Sequence, residues 1–178
     1  MVLTLALMLA QPEATEGAAP IPPLEEAARQ VEARDAELFW NAFEGCDGDK
    51  VRALITDDFR MVHDIAGMVV GNGDEFARQI SQSCADRAPG GASEGYRNKR
   101  LLTAGSQEVT PIGEWGVLQR GWHTFHEWRG EDAGWEQVGG ARFINLWKWM
   151  PDEGVFRMQE TISVDHAAAL PYPPVTAE

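Results

Sequence analysis

Two long stretches, Gly116–Trp128 and Gly139–Met150, alternate their side chains with period two and carry glycines in their interiors, at Gly121, Gly139 and Gly140. Such alternation sends successive residues to opposite faces of a strand. Both stretches far exceed the usual strand of about five to six residues. Long antiparallel strands with interior glycines bend, and a bent sheet closing over a helix makes a conical cavity. These two segments therefore predict a curved sheet with an inside and an outside.

The rest of the chain supplies what the inside is closed with. Leu24 to Phe43 carries an apolar stripe at Ala28, Val31, Leu38, Phe39 and Ala42, preceded by Pro22 and Pro23 and ended by Gly45, which predicts a helix. Asp47 reads as the cap of a short second helix over Asp49–Ile55, and Phe59–Asp64 as a strand that turns at Gly67 into Met68–Val70. Asn72 followed by Glu75 resembles a capping box opening a third helix that ends near Cys84. Ala85–Glu94, with Pro89, Gly90, Gly91 and Ser93, reads as a loop. From Tyr96 onward the pattern is strand only, over 96–103, 107–112, 116–128, 138–150 and 155–165. Helices first and antiparallel strands after predict an α+β domain over 24–168, with the helices on one face of the sheet.

Alternation also selects residues for the inner face. Phe59-Met61-His63, Gln119-Gly121-His123-Phe125, Phe143-Asn145-Trp147 and Ser163-Val164-Asp165-His166 mix histidines, an amide and a carboxylate into apolar runs. If those faces meet, they form an apolar pocket with a few polar groups, the usual make-up of a small-molecule site. Seven tryptophans, six of them from Trp115 to Trp149, fit a lined cavity or an aromatic core equally.

Net charge is −13, and the 15 lysines and arginines are scattered, so nucleic-acid binding is disfavoured, as is an anionic membrane surface. Met1–Ala10 is apolar but too short to span a bilayer, and Gln11–Pro23 is rich in proline and alanine. Residues 1–23 are read as a secretory signal with its linker, although no Lys or Arg precedes the apolar run, and 169–178 as a tail. The mature chain is then periplasmic or secreted and not inserted in a membrane. Cys46 and Cys84 are a disulfide candidate in that compartment.

The order of these motifs resembles the nuclear transport factor 2-like superfamily, the cone-shaped α+β fold shared with ketosteroid isomerases and SnoaL-like cyclases. The residues that carry the resemblance are Phe59-Arg60-Met61-Val62-His63-Asp64 with Gly67, Gly121-x-His123-x-Phe125, Phe143-x-Asn145-x-Trp147 and Ser163-Val164-Asp165-His166, spread over about residues 25–166. Within the superfamily the chain looks most like a SnoaL-like, ketosteroid-isomerase-like family of unassigned function. That family more often has tyrosine where this chain has Val164. The resemblance implies a curved antiparallel sheet wrapped on N-terminal helices, and a homodimer; Trp122 and Trp128 on the outer face of their strand suit pairing of sheets.

Three functions fit. The first is an exported binder of a small, largely apolar ligand, with Trp40, Met61, His63, Arg100, Gln119, His123, Phe143, Asn145, Trp147 and His166 as ligand-binding residues. The second is a cofactor-independent isomerase, cyclase or hydratase whose candidate catalytic residues are His63, Asp64, His123 and Asp165. The third is a dimerising accessory domain with a vestigial cavity. His63, His123 and His166 share no local ligand spacing, so no metal is expected, and no dinucleotide or phosphate motif points to a cofactor. On a regular strand Asp64 points away from His63, and surface pairing with an acid is the expected use of Arg100.

Overall fold

The computed structural model describes residues 19–167; the signal segment and the C-terminal tail read from the sequence lie outside the described residues, apart from the stretch that leads into the first helix. Helix α1 spans Leu24–Phe43, α2 Gly48–Leu54 and α3 Gly73–Arg87. The strands are β1 (Ile55–His63), β2 (Gly67–Val70), β3 (Asn98–Leu102), β4 (Glu108–Ile112), β5 (Gly116–Trp128), β6 (Trp135–Met150) and β7 (Val155–Ala167). Among the described residues no helix is long and apolar enough to cross a membrane.

The strands form one sheet in the order β2-β1-β7-β6-β5-β3, with β4 also paired to β5. Every pairing is antiparallel except β1 with β7, which is parallel, so the sheet is mixed. β5 is long enough to carry two short partners end to end: β3 covers its Phe125 end and β4 its Val117 end. Register shifts at Phe125/His126, Gly140/Arg142 and Leu146/Trp147 interrupt the long ladders, where added twist curls the sheet. Gly121 lets β5 and β6 approach closely: a Cβ there would sit 2.9 Å from the Phe143 ring on β6.

Capping follows the sequence. The Asp47 side chain accepts from the Lys50 N–H at the start of α2, and Asn72 accepts from the Glu75 N–H at the start of α3. The return bond of that capping box goes one residue further back, from the Gly71 N–H to Glu75 Oε2. α1 buries Ala27, Val31, Leu38 and Ala42 against the concave face of the sheet, where Phe59, Val117, Trp147, Phe156 and Met158 complete the core. Phe76 of α3 packs on Phe59 with ring centroids 5.0 Å apart.

Cys46, just after α1, is bonded to Cys84 in α3, with Cα atoms 5.5 Å apart. Closing a loop of 38 residues restricts the unfolded chain. Reduction, or Cys46→Ser with Cys84→Ser, is expected to cost about 2–4 kcal/mol. Urea unfolding with and without reductant measures it, and coincident curves would show that the bridge adds no stability.

Candidate functional site

Between α1, α3 and the concave face lies a cavity of ≈170 Å³. Leu38, Phe39, Ala42 and Phe43 line it from α1, and Phe76 and Ile80 from α3. The sheet contributes Phe59, Met61 and His63 from β1, His123 and Phe125 from β5, and Met158, Thr161, Ser163 and His166 from β7. Arg87 of α3 also lines it, its guanidinium donating to the Phe43 carbonyl, Asn98 Oδ1 and Ser83 Oγ. The rest of the lining is mostly hydrocarbon, with its other polar groups gathered mainly at two points. Larger grooves beside the disulfide and beside Trp115 are open surface features that lie away from these groups.

The first polar point is His123, held from behind by a buried network. Asp35, on the buried stripe of α1, accepts from Arg100 Nη1 at 2.6 Å and from Arg100 Nη2 at 3.3 Å; both side chains are essentially inaccessible. Asn145 Nδ2 donates to Asp35 at 3.2 Å and to Gln119 Oε1 at 3.1 Å, while Asn145 Oδ1 accepts from Thr161 at 2.7 Å. Trp147 Nε1 donates to the same Gln119 oxygen at 2.6 Å. Phe39 and Phe143 cover the Arg100 guanidinium, at 3.7 and 4.9 Å. Burial pushes Asp35 up and Arg100 down from their ordinary values, each opposed by the other's charge and hydrogen bonds.

Arg100 Nε donates to His123 Nδ1 at 2.7 Å. A guanidinium has no acceptor, so this bond fixes the tautomer: Nδ1 carries the lone pair and Nε2 the proton. Burial pushes His123 from 6.5 down to about 2, and the nearby charges of Arg100 and His166 act in the same direction. The ring is therefore a neutral donor at physiological pH. Its Nε2 is buried and has no hydrogen-bond partner among the described residues. An unpaired buried donor on an apolar cavity costs about 1–3 kcal/mol, recovered when an acceptor arrives.

The second polar point is where β1 and β7 end side by side. Asp64 leaves the strand in a turn, so it does not point away from His63 as alternation predicts: its Oδ1 lies 3.3 Å from His63 Nδ1. Asp64 Oδ1 also accepts from His166 Nδ1 at 2.6 Å, and Oδ2 from the His166 backbone N–H at 3.2 Å. Desolvation raises Asp64, but these bonds and the charges of both histidines outweigh it and hold the carboxyl below its ordinary value. The two imidazoles stack with centroids 3.8 Å apart. Burial, together with the charge of His166, lowers His63 from its ordinary value against the pull of Asp64. His166 Nε2 lies 3.2 Å from Ser163 Oγ.

His63, Asp64 and His166 offer ligand atoms all within 4.8 Å of one another, donor types that suit a divalent transition ion. As arranged, however, His63 Nδ1 accepts from the Ile65 N–H, and the His166 Nδ1 proton goes to Asp64. The two rings lie in near-parallel planes, 19° apart, whereas a metal must lie in the plane of each ring that binds it. The cluster is built for hydrogen bonding.

Of the residues singled out from the sequence, Met61, His63, His123 and His166 meet at the cavity. Gln119, Asn145 and Trp147 lie in the buried layer behind it, and Phe143 stacks behind His123 at 5.4 Å. Arg100 reaches inward to Asp35 and His123 rather than to the surface or the cavity. Trp40 does not line the cavity; it is more than half exposed on the outer side of α1. Asp165 points outward and pairs with Arg142 at 2.9 Å. Ser163, already on a segment assigned to the inner face, joins His166 there, and Asp35 is the addition. Asp35 was legible as a carboxylate at a buried position of the α1 stripe, between Val31 and Leu38.

No family model and no curated protein matches this chain. Among solved structures it is similar to a nuclear transport factor 2-like protein with a cystatin-like fold from Novosphingobium aromaticivorans, at 16% identity and a TM-score of 0.60, covering 79% of this chain and 82% of that one. A nuclear transport factor 2-like superfamily protein from Salmonella enterica serovar Typhimurium matches at 10% identity and a TM-score of 0.60, over 88% of this chain and all (100%) of that one. A protein from Catenulispora acidiphila in complex with S-DNPA matches at 11% identity and a TM-score of 0.59, over 78% and 94% of the two chains. These likenesses establish the nuclear transport factor 2-like fold.

Proposed function

Within the nuclear transport factor 2-like fold, we propose that this chain binds a small, largely apolar molecule bearing one acceptor oxygen, a carbonyl above all. One observation carries the reading: His123 lines a largely hydrocarbon cavity, and its Nε2–H, fixed by the Arg100 bond to Nδ1, is buried without a partner among the described residues. A preformed apolar pocket with one oriented donor selects shape by its walls and chemistry by that donor. A structural neighbour in complex with a small molecule supports a ligand role for the fold. Export belongs to the same reading and is supported by the Cys46–Cys84 bridge. So does pairing of two copies through the outer face of the sheet that carries Trp122 and Trp128.

A second reading, cofactor-independent proton transfer in an isomerase, cyclase or hydratase, is favoured by the Asp64–His166 pair. Asp64 holds the proton on His166 Nδ1, which leaves the Nε2 lone pair turned toward the cavity as a base, with His123 Nε2–H as the donor to a developing oxyanion.

Calorimetric titration with acetophenone and with ethylbenzene separates oxygen recognition from mere burial. The ketone is expected to bind about tenfold more tightly, the value of one net hydrogen bond, and His123→Phe is expected to erase that preference while ethylbenzene still binds. Equal affinities in the native protein, or a preference that survives in His123→Phe, would refute the reading.

A further inference from the structure

On a regular strand, residues three apart face opposite sides, so Ser163 and His166 of β7 should not meet. They do because Asp165 between them adopts φ 59°, the left-handed region that a non-glycine residue rarely enters. The ladder between β6 and β7 shifts register at this place. Strain of this kind persists where the surroundings over-determine it, and it clusters at functional sites. Here it turns the His166 ring onto the cavity side, beside the Ser163 hydroxyl.

We propose that Ser163, His166 and Asp64 form a nucleophilic relay that opens small apolar esters by acyl transfer to Ser163. The proposal rests on the reading of the cavity as a site for carbonyl compounds. Asp64 Oδ1 accepts the His166 Nδ1 proton at 2.6 Å and Oδ2 the His166 backbone N–H, so ring and backbone are both oriented by one carboxylate. With Nδ1 occupied, neutral His166 has its lone pair on Nε2, and Ser163 Oγ–H donates to it at 3.2 Å. Ser163 is buried and lines the cavity, as does His123, the donor available to an oxyanion. His63 covers the outer face of the His166 ring. Nucleophile, base and orienting acid thus stand in the order that activates a serine, on strand ends rather than on a strand-to-helix elbow.

In the step, Ser163 Oγ bonds to the ester carbonyl carbon as its proton passes to His166 Nε2. The carbonyl π pair moves to oxygen, which accepts from His123 Nε2–H. Collapse breaks the ester C–O bond, and the proton on His166 goes to the departing alkoxide. Water then attacks the acyl group with His166 again as base, releasing the acid and restoring Ser163. Asp64 is a positioning residue in this scheme.

The test uses p-nitrophenyl acetate and butyrate, with intact-protein mass and peptide mapping beside p-nitrophenolate release. An acyl adduct on Ser163 is expected, with release at least about 100-fold slower in Ser163→Ala and in Asp64→Asn. Circular dichroism of both variants is expected to match that of the native protein, and Asp64→Asn is expected still to form the adduct, slowly and at the same serine, which separates a misplaced base from a lost fold. Ser163→Cys is expected to carry the acyl group as a thioester, so the assignment stands on a second variant if alanine is not tolerated. No adduct at Ser163, adducts confined to lysines, or release unchanged in Ser163→Ala overturns the relay. If the ketone preference survives that result, the relay alone has failed and the binding site stands.

Discussion

Asp35→Ala is expected to destabilise the protein by about 3–5 kcal/mol, the cost of leaving one partner of a buried ion pair uncompensated. The Arg100 side chain is 2% exposed and the Asp35 side chain 0%, so water cannot replace the lost carboxylate without opening the packing of α1 on the sheet. Phe39 and Phe143 flank the guanidinium, which leaves it no other anion within the cavity wall. For a domain of this size the loss corresponds to a fall in Tm on the order of 10 °C. Asp35→Leu with Arg100→Met removes both charges together and is expected to recover much of the loss, because a hydrophobic pair of similar volume avoids the desolvation that the ion pair must offset. Recovery stays incomplete: Asn145 Nδ2 and His123 Nδ1 each lose a partner. Urea midpoints of the two singles and the double give the coupling. A single-variant cost below about 1 kcal/mol, the range of exposed pairs, would mean that water reaches the pair, and the fixed tautomer of His123 would fall with it. The same experiment thus bears on function, since Arg100 acts on the ligand only through the imidazole it orients.

Much of the architecture was legible because it rests on periodicity. The α1 stripe and the alternation of β5 and β6 report burial directly, and the curved sheet follows from strands too long to stay flat. The caps at Asp47 and Asn72 are local chemistry and came out where expected. The site was legible in part, for a specific reason. Met61 and His123 follow alternation onto the inner face, but so do Gln119, Asn145 and Trp147, which meet one another instead of a ligand. Period two says which face a residue is on; it does not say whether that face is covered by helix or by cavity. The Asp64–His166–Ser163 arrangement breaks alternation twice, once where Asp64 turns off β1 and once at the left-handed Asp165. Gly67 announces the turn after β1 without showing that Asp64 folds back onto the histidines, and no glycine marks the break at Asp165. Trp40 illustrates the opposite error: a large aromatic on a helix was read as ligand-binding, yet it is exposed because the buried stripe runs through Leu38, Asn41 and Ala42.

Acid is expected to unfold this protein through His123. An unfolded histidine takes up a proton as pH falls through 6.5, whereas the buried ring resists protonation until about 2. The unfolded state therefore binds more protons than the native one throughout that window, and stability drops as pH falls. The loss from this one group is about 1.4 kcal/mol per pH unit below the unfolded value, or about 2 kcal/mol by pH 5. His63 and His126, also lowered by burial, act with the same sign, and Asp64, held below its ordinary value, adds its share only at more acidic pH. The contribution of His123 is isolated by subtraction. His123→Gln keeps a side-chain oxygen to accept from Arg100 and has no basic nitrogen, so the difference between its stability curve and that of the native protein is expected to be flat above pH 7 and to slope by about 1.4 kcal/mol per unit below 6.5. Parallel curves would show that the imidazole protonates freely in the folded state. That outcome would require Nδ1 to be released from Arg100, since the guanidinium proton already occupies its lone pair. Conversely, a sloping difference fixes His123 as a neutral donor at every pH where the protein is folded, and the preference for ketones should then hold constant between pH 8 and the onset of unfolding.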